Sequence, residues 1–227
     1  MKYFIFFFFI SFTLFSQSNF EKGEKLFDQK KFKEAKFYFK INLEEHSTDT
    51  KTLEYLGDIA GHDKDWDEAI ECYEKIKKQH PQNANYHYKF GGALGMKAKE
   101  SSKFIALGMI DDVENAFLTA AKLDAKHIDS RWALVIFYVE IPAIIGGSEK
   151  KAQVYANELM QLSKVDGYLS KGYIDVYFKR YKKAEINYKN AHIIGNSKTT
   201  FEKLYDLYLN KLKDKTKAEQ FKKEFNK

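Results

Sequence analysis

The sequence predicts an all-α chain folded as a solenoid of about five to six helix-turn-helix repeats. The main observation is a period of 34 residues, which Gly23, Gly57 and Gly91 show twice in succession. Four further pairs share this spacing: Ala35 and Ala69, Phe39 and Tyr73, Asn42 and Ile76, Ser47 and Pro81. The chain also has only two prolines in 227 residues, so little interrupts its helices. A fixed period of this length indicates stacked helical units.

Each repeated position suits one part of a helix-turn-helix unit. A small residue such as Gly57 allows two helices to cross closely, and an aromatic residue on the second helix, such as Tyr73, is expected to pack at that crossing. The second repeat has the most complete pattern: Leu53, Leu56, Gly57, Ala60, Ala69, Tyr73 and Pro81. The pattern resembles the tetratricopeptide repeat (TPR). The resemblance implies a right-handed superhelix.

The pattern predicts six repeats, two of them with departures. Their ranges are 17–49, 50–83, 84–127, 128–164, 165–196 and 197–227. The fourth repeat has Val135 at the eighth place instead of a small residue, so we expect its two helices to cross less closely. The sixth keeps Ala218 but is rich in lysine on its second helix, as expected of a solvent-facing cap.

The third and fourth repeats are longer than the period. Gly57 and Ala69 are 12 residues apart, but the matching positions are 22 apart in the third repeat and 17 in the fourth. The extra residues fall between the two helices of each repeat, so we expect the insertions to be neighbours on one edge. Their apolar residues are expected to pack together as a lobe: Phe104, Ile105, Leu107, Met109, Ile110, Ile141, Ile144 and Ile145. An exposed remnant would instead mark a contact site.

The second insertion contains the segment IPAIIGGSEKKA, residues 141–152. Pro142 cannot continue the preceding helix, the pair Gly146-Gly147 suits a turn, and Ser148 can cap the next helix. A phosphate-binding loop would need GxxxxGK[ST] after a strand, and Glu149 would repel a phosphate here. We interpret the segment as a joint between helices.

The glycine run at 91–95 indicates a close approach to its helix. Gly92 and Gly95 are additional to the repeat pattern, and each costs about 1 kcal/mol in a helix relative to alanine. We expect either the inserted segment or a ligand to lie against them.

The first 16 residues resemble a secretory signal peptide. Lys2 supplies a positive start, residues 3–15 are apolar but too short to span a bilayer, and Ser16 suits a cleavage site. Cys72 is the only cysteine, so no lipid-anchoring cysteine lies near that site. We expect an exported protein, periplasmic or secreted, with no further membrane span. The net charge of +6 arises from interspersed charges of both signs, and export argues against a nucleic-acid partner.

No catalytic, cofactor or metal site is expected. None of the six histidines forms an HExxH motif, and Asp58 with His62 supplies only two of the ligands that a zinc site needs. Cys72 is expected to be a buried apolar residue, and no serine motif resembles a nucleophile elbow. The sequence therefore favours a protein that is not an enzyme.

The TPR resemblance implies a groove lined by the first helix of each repeat. The candidate partner-binding residues in it are Asp58, Tyr88, Trp132, Ile136, Tyr173 and Tyr177. The groove is expected to be acidic towards the N-terminus and aromatic towards the C-terminus, which suits a basic or amphipathic segment. The aromatic residues could instead belong to the core. Glu24 and Asp58 replace the asparagines of the TPR class that clamps chaperone tails, which argues against that function.

These observations predict an exported scaffold that binds a protein or peptide in the cell envelope. They leave the partner and the oligomeric state open. The alternative is a periplasmic ligand-binding protein, because the segment GGSEKKAQVYANEL resembles part of the TPR components of TRAP transporters. That alternative requires residues 104–110 and 141–145 to enclose a cavity.

Overall fold

A computed structural model of the chain describes residues 17–225, and the expected signal peptide lies outside this range. The described residues form thirteen α-helices and no strand. The helices are α1 Asn19–Asp28, α2 Phe32–Glu45, α3 Thr50–His62, α4 Trp66–Gln79, α5 Ala84–Glu100, α6 Lys103–Leu107, α7 Ile110–Leu123, α8 Ile128–Glu140, α9 Glu149–Leu162, α10 Lys164–Tyr177, α11 Tyr181–Gly195, α12 Lys198–Asp206 and α13 Lys215–Phe225. A 3₁₀ turn at Ala143–Ile145 and a π-helical segment at Leu207–Lys211 complete the fold. In this part of the chain, no helix has the length and apolar character needed to cross a membrane.

Consecutive helices pack in pairs, and each pair is one repeat. The pairs are α1 with α2, α3 with α4, α5 with α7, α8 with α9, α10 with α11, and α12 with α13. The buried residues form three clusters, each drawn from neighbouring repeats. Since every cluster crosses a boundary between repeats, each repeat stabilises the next one. The expected all-α repeat architecture is confirmed.

The turn inside each repeat without an insertion contains a strained lysine. Four lysines have φ angles between 56° and 61°: Lys30, Lys64, Lys179 and Lys213. This left-handed region favours glycine, because a side chain there crowds the backbone. The sharp turn is therefore maintained by the packing of the flanking helices, since the residue type does not favour it.

The helix crossing in the first, second, third and fifth repeats pairs a glycine with an aromatic ring. A Cβ atom added to Gly57 would lie 2.5 Å from the ring of Tyr73, and one added to Gly172 would lie 2.2 Å from the ring of Tyr188. The same close approach joins Gly23 to Phe39 and Gly91 to Phe117. The predicted pairing of a small residue with an aromatic one is therefore confirmed.

In the fourth repeat, the larger side chain at the helix crossing is on the first helix and the smaller one is on the second helix. Val135 stands where the first, second, third and fifth repeats have glycine, and Ala156 stands where they have the aromatic residue. Both side chains are fully buried in the same cluster. The first helix therefore supplies the larger side chain here, and the second helix supplies the smaller one.

The segment between α8 and α9 is a rigid joint, as the sequence predicts. Gly146 has a φ of 109°, which a side chain would strain, and a Cβ atom on Gly147 would lie 1.7 Å from the carbonyl oxygen of Ile141. Ser148 then caps α9 by accepting a hydrogen bond from the amide of Lys151 at 3.2 Å. The two glycines are thus needed for different reasons, one for its backbone angle and one for space.

The expected apolar lobe is not formed. Phe104, Ile105, Leu107 and Ile144 are exposed, whereas Met109, Ile110 and Ile145 are half-buried. The expectation that these residues bury one another is wrong. Helix α6 is short, has no buried residue and lies only against α5 among the principal helix contacts.

The inserted segment does not approach the glycine run at Gly92, and the alternative that a ligand lies there stays a prediction. Nothing lies within 4 Å of a Cβ atom added at Gly92, and a Cβ atom on Gly95 would meet only Val113 at an ordinary 3.6 Å. The inserted segment therefore does not fold back on α5 at Gly92.

We predict opposite effects from two glycine substitutions. Gly172→Ala should lower the free energy of unfolding by about 1–3 kcal/mol, because the buried Tyr188 ring has no room to move away. Gly92→Ala should raise it by about 0.5–1 kcal/mol, because the new methyl group meets open space in a helix. Denaturant unfolding of both variants measures this difference, and equal effects would contradict the role given to the crossing.

The second prediction concerns the C-terminal cap. The ring of His192 lies 3.0 Å from the hydroxyl of Thr200 and 4.9 Å from the ring of Phe221 in α13. Burial lowers the pKa of His192 below 6.5, so the unfolded chain takes up a proton more readily than the folded one. Stability should therefore be complete above pH 6.5 and fall as the pH decreases below it.

Hydrogen exchange in α13 at neutral and mildly acidic pH checks this prediction. His192→Gln keeps a polar partner for Thr200 but cannot titrate. After correction for the pH dependence of exchange in an unfolded chain, the exchange rates of this variant should change little with pH. A corrected pH dependence equal to that of the parent would refute the assignment to His192.

Candidate binding groove and insertion edge

The predicted groove is the face formed by the first helices α1, α3, α5, α8 and α10. Among its candidate residues, Ile136 and Tyr177 are the most exposed, at 38% and 48%. Trp132 and Tyr173 are half-buried against the central core cluster. Tyr88 is also half-buried and lies beside the rings of Phe117 and His127, so it contributes more to packing than to an open surface.

Hydrogen bonds and ion pairs connect each first helix to the next along this face. Tyr55 donates to Glu24 at 3.0 Å, and Lys89 binds both Glu54 and Asp58 at 2.7 Å. Further along, Tyr173 donates to Glu140 at 2.8 Å, and the indole of Trp132 donates to Asp166 at 2.8 Å. These contacts set the position of each repeat relative to its neighbour.

Asp58 is committed to internal contacts. Its carboxylate accepts a hydrogen bond from the hydroxyl of Tyr73 at 2.6 Å in addition to the ion pair with Lys89. Burial and the neighbouring carboxylate raise the pKa of Tyr73, which stays a neutral donor. The charge of Asp58 is therefore compensated within the protein, and the acidic character expected at this position is reduced.

Trp132 and Tyr173 present ring surface rather than polar atoms. Each uses its only donor group on an acidic side chain of a neighbouring repeat, Asp166 for Trp132 and Glu140 for Tyr173. Burial and the hydrogen bond to Glu140 raise the pKa of Tyr173, so its hydroxyl stays protonated at neutral pH. The two rings are thus fixed before any partner arrives.

Sequence reasoning missed Lys89, which compensates the acidic groove residues. Lys89 occupies a first-helix position outside the set that the TPR resemblance marks as groove-lining. The available signal was its distance along the chain, since it follows Asp58 by about one repeat length. A charge of opposite sign one repeat away is a neighbour in space when repeats stack.

The remaining candidates for chemistry are accounted for by packing. Cys72 is buried, and burial raises the pKa of its thiol to about 11, which is unlike a nucleophilic cysteine. The imidazole of His62 is within hydrogen-bond distance of the Asp63 carboxylate and packs against the ring of Phe32. Among residues 17–225, no group of three or more possible metal ligands converges.

The two insertions lie side by side, as the sequence predicts. At their starts, Lys99 at the end of α5 pairs with Glu140 at the end of α8 at 3.0 Å. At their ends, Glu114 in α7 pairs with Lys151 in α9 at 3.2 Å. We call the surface made by residues 99–112, 140–151 and 178–183 the insertion edge.

The turn between α10 and α11 continues this edge. Arg180 in that turn pairs with Glu149 at the start of α9 at 2.6 Å. This contact lowers the pKa of Glu149 through the hydrogen bond from the guanidinium group. Glu149, which would repel a phosphate, is therefore used to attach the fifth repeat to the fourth.

Comparison with known proteins identifies the fold. No family model and no curated protein sequence matches the chain. TTC0263, a thermophilic TPR protein of Thermus thermophilus, superposes with a TM-score of 0.65 at 14% identity over 86% of this chain and 96% of its own. YrrB, described as a TPR protein with an unusual peptide-binding site, gives 0.55 at 14% identity over 80% of this chain and 87% of its own.

A third similar structure is the human IFIT1 dimer with m7Gppp-AAAA. It gives a TM-score of 0.69 at 18% identity over 92% of this chain, which spans 52% of the IFIT1 chain. These likenesses show that the chain has the TPR fold, and they confirm the expected TPR-like superhelix.

We predict that Asp58 contributes to stability. Asp58→Ala should lower the free energy of unfolding by about 1–2 kcal/mol, because it leaves the Tyr73 hydroxyl and Lys89 without their shared partner. Denaturant unfolding of Asp58→Ala, Lys89→Met and the double variant measures the coupling. Additive effects of the two substitutions would show that the pair does not stabilise the fold.

Proposed function

We propose that this chain, which has the TPR fold, is a non-enzymatic scaffold of the cell envelope that binds a protein or peptide segment along its groove. The observation that carries the proposal is the pair of rings of Trp132 and Tyr173, fixed by Asp166 and Glu140 on adjacent first helices. Rigid, half-buried aromatic rings are the side chains that most often dominate binding energy at interfaces. Exposed Ile136 and Tyr177 extend this apolar surface.

The charges of the groove favour a basic or amphipathic segment. Asp28 and Asp129 are exposed and make no ion pair among residues 17–225. The groove positions therefore combine unpaired carboxylates with apolar rings. An amphipathic segment with basic residues on one side and an apolar stripe on the other would complement both features.

Two of the similar structures bear on the class of partner. The peptide-binding site named for YrrB supports a peptide partner for this fold. The IFIT1 structure contains m7Gppp-AAAA, so a chain of this fold also holds a nucleotide ligand in that protein. A nucleic acid needs cations against its phosphates, and the exposed carboxylates of Asp28 and Asp129 would repel those phosphates, which favours the peptide.

The alternative of a small-molecule-binding protein loses its main support. It requires residues 104–110 and 141–145 to enclose a cavity beside the glycine-rich helix. Phe104, Ile105, Leu107 and Ile144 are exposed instead. A scaffold is therefore the better-supported function.

The envelope location depends on the resemblance of the first 16 residues to a signal peptide. Intact mass and N-terminal sequencing of the protein from its own host test this part. A first residue of Gln17 in the envelope fraction would support it, and an unprocessed protein in the cytosolic fraction would contradict it.

The groove is tested with substitutions that leave the core intact. Ile136→Ala with Tyr177→Ala, at exposed groove positions, should weaken partner capture from the envelope fraction by about tenfold or more. The matched control is Phe37→Ala with Ile193→Ala, which also removes one aromatic and one isoleucine side chain, at more exposed positions of the second helices α2 and α11. Circular dichroism checks that both pairs fold.

Native mass spectrometry of the untreated protein identifies what is bound. A protein adduct that the groove pair loses and the control pair keeps would support the proposal. Equal capture by all three proteins would contradict it, and a small-molecule adduct would favour the ligand-binding alternative.

A further inference from the structure

The insertion edge exposes large apolar side chains. Phe104 and Ile144 are 89% and 93% exposed, and Ile105 and Leu107 beside Phe104 are also exposed. Phe104, Ile105 and Leu107 lie on α6, and Ile144 lies on the joint. Ion pairs join the helices at the starts and at the ends of these two insertions, which places both segments on the same edge. Clustered exposed side chains of this kind mark a contact surface in a folded protein.

The exposure of Ile144 is a property of the joint itself. Ile144 is the middle residue of the 3₁₀ turn, which the carbonyl oxygen of Pro142 closes by accepting from the amides of Ile145 and Gly147 at 3.0 and 3.1 Å. The amide of Ser148 then donates to the carbonyl oxygen of Tyr138 at 2.8 Å. These bonds fix the turn in place, so Ile144 is held outside the core.

Basic side chains surround the apolar cluster. The insertion edge carries eight basic and five acidic side chains. Two of the five acids form ion pairs, Glu140 with Lys99 and Glu149 with Arg180. A third, Glu100, accepts a hydrogen bond from the indole of Trp66. Asp111 and Asp112 remain, at the positive start of α7.

The unpaired cations of the edge outnumber these two acids. They are the exposed lysines that make no ion pair within residues 17–225: Lys103, Lys150, Lys179, Lys182 and Lys183. Phe178, which is partly exposed, follows α10 and comes immediately before Lys179. The edge therefore combines protruding apolar side chains, aromatic rings and unpaired positive charge.

We propose that the insertion edge docks on an anionic lipid surface, with Phe104 and Ile144 entering the boundary between headgroups and acyl chains. Apolar side chains that enter this boundary beside lysines that contact lipid phosphates bind a membrane reversibly without spanning it.

A lipid surface fits this edge better than a protein partner does. A protein partner would need a pocket for each protruding side chain, whereas a bilayer accepts them without a matched shape. The charge of the edge also complements anionic headgroups. Docking here leaves the groove on the first helices open, so this inference is independent of the proposed scaffold function.

Vesicle co-sedimentation tests the proposal on the processed protein from its own host, after its first residue has been determined. The vesicles are phosphatidylcholine alone and phosphatidylcholine with phosphatidylglycerol. The parent protein should bind the anionic vesicles more tightly. Phe104→Ser with Ile144→Ser should reduce this binding by about ten- to a hundredfold, because both apolar contacts with the acyl boundary are lost.

The matched control is Phe37→Ser with Ile193→Ser. It removes the same two residue types from exposed positions on α2 and near the end of α11, away from the insertion edge. Its vesicle binding should equal that of the parent. Lys179→Gln with Lys183→Gln should weaken binding to the anionic vesicles by about fivefold for each lysine, with little effect on neutral ones.

Three results would overturn the proposal. One is a parent protein that binds neither kind of vesicle. Another is an equal loss in the control pair and the Phe104/Ile144 pair. The third is a Phe104→Ser, Ile144→Ser variant that binds vesicles as the parent does but loses a dimer that the parent forms in native mass spectrometry. That result would assign the edge to a second copy of the chain.

Discussion

The pairing of one small and one large side chain at the helix crossings of the first five repeats is the constraint on which the rest of the structure depends. A buried crossing has a fixed volume, so a glycine on one helix requires a ring on the other. The fourth repeat meets the same requirement with Val135 and Ala156 in exchanged roles. The ring of Tyr73 shows the wider consequence, since its hydroxyl reaches Asp58 and thereby connects the core to the groove.

The contacts between repeats form a second layer of organisation. Individually, partly exposed ion pairs such as Lys99 with Glu140 or Arg180 with Glu149 contribute little to stability, about 0–1 kcal/mol each. Each one nevertheless joins two neighbouring repeats along the insertion edge. These contacts place two insertions of different length against each other and continue the edge into the following turn.

The result is a molecule with two separate surfaces. The groove is built from first helices and has rings that are already fixed by hydrogen bonds, so a partner there would lose little entropy in ordering them. The insertion edge is built from the segments that break the repeat. Ile110 and Ile141 of the inserted segments pack against the core, whereas Phe104 and Ile144 lie outside it in contact with solvent. A scaffold could use one surface for its partner and the other for its location.

The sequence by itself determined the period, the residues at the crossings, the joint at 141–148 and the position of both insertions. These features depend on spacing along the chain and on the backbone preferences of single residues such as Pro142 and Gly147. Only the tertiary structure decided that Lys89 neutralises Asp58 and that Phe104 and Ile144 are exposed instead of buried. Such outcomes depend on which side chains from different repeats meet when the helices stack, and spacing within one repeat does not specify that.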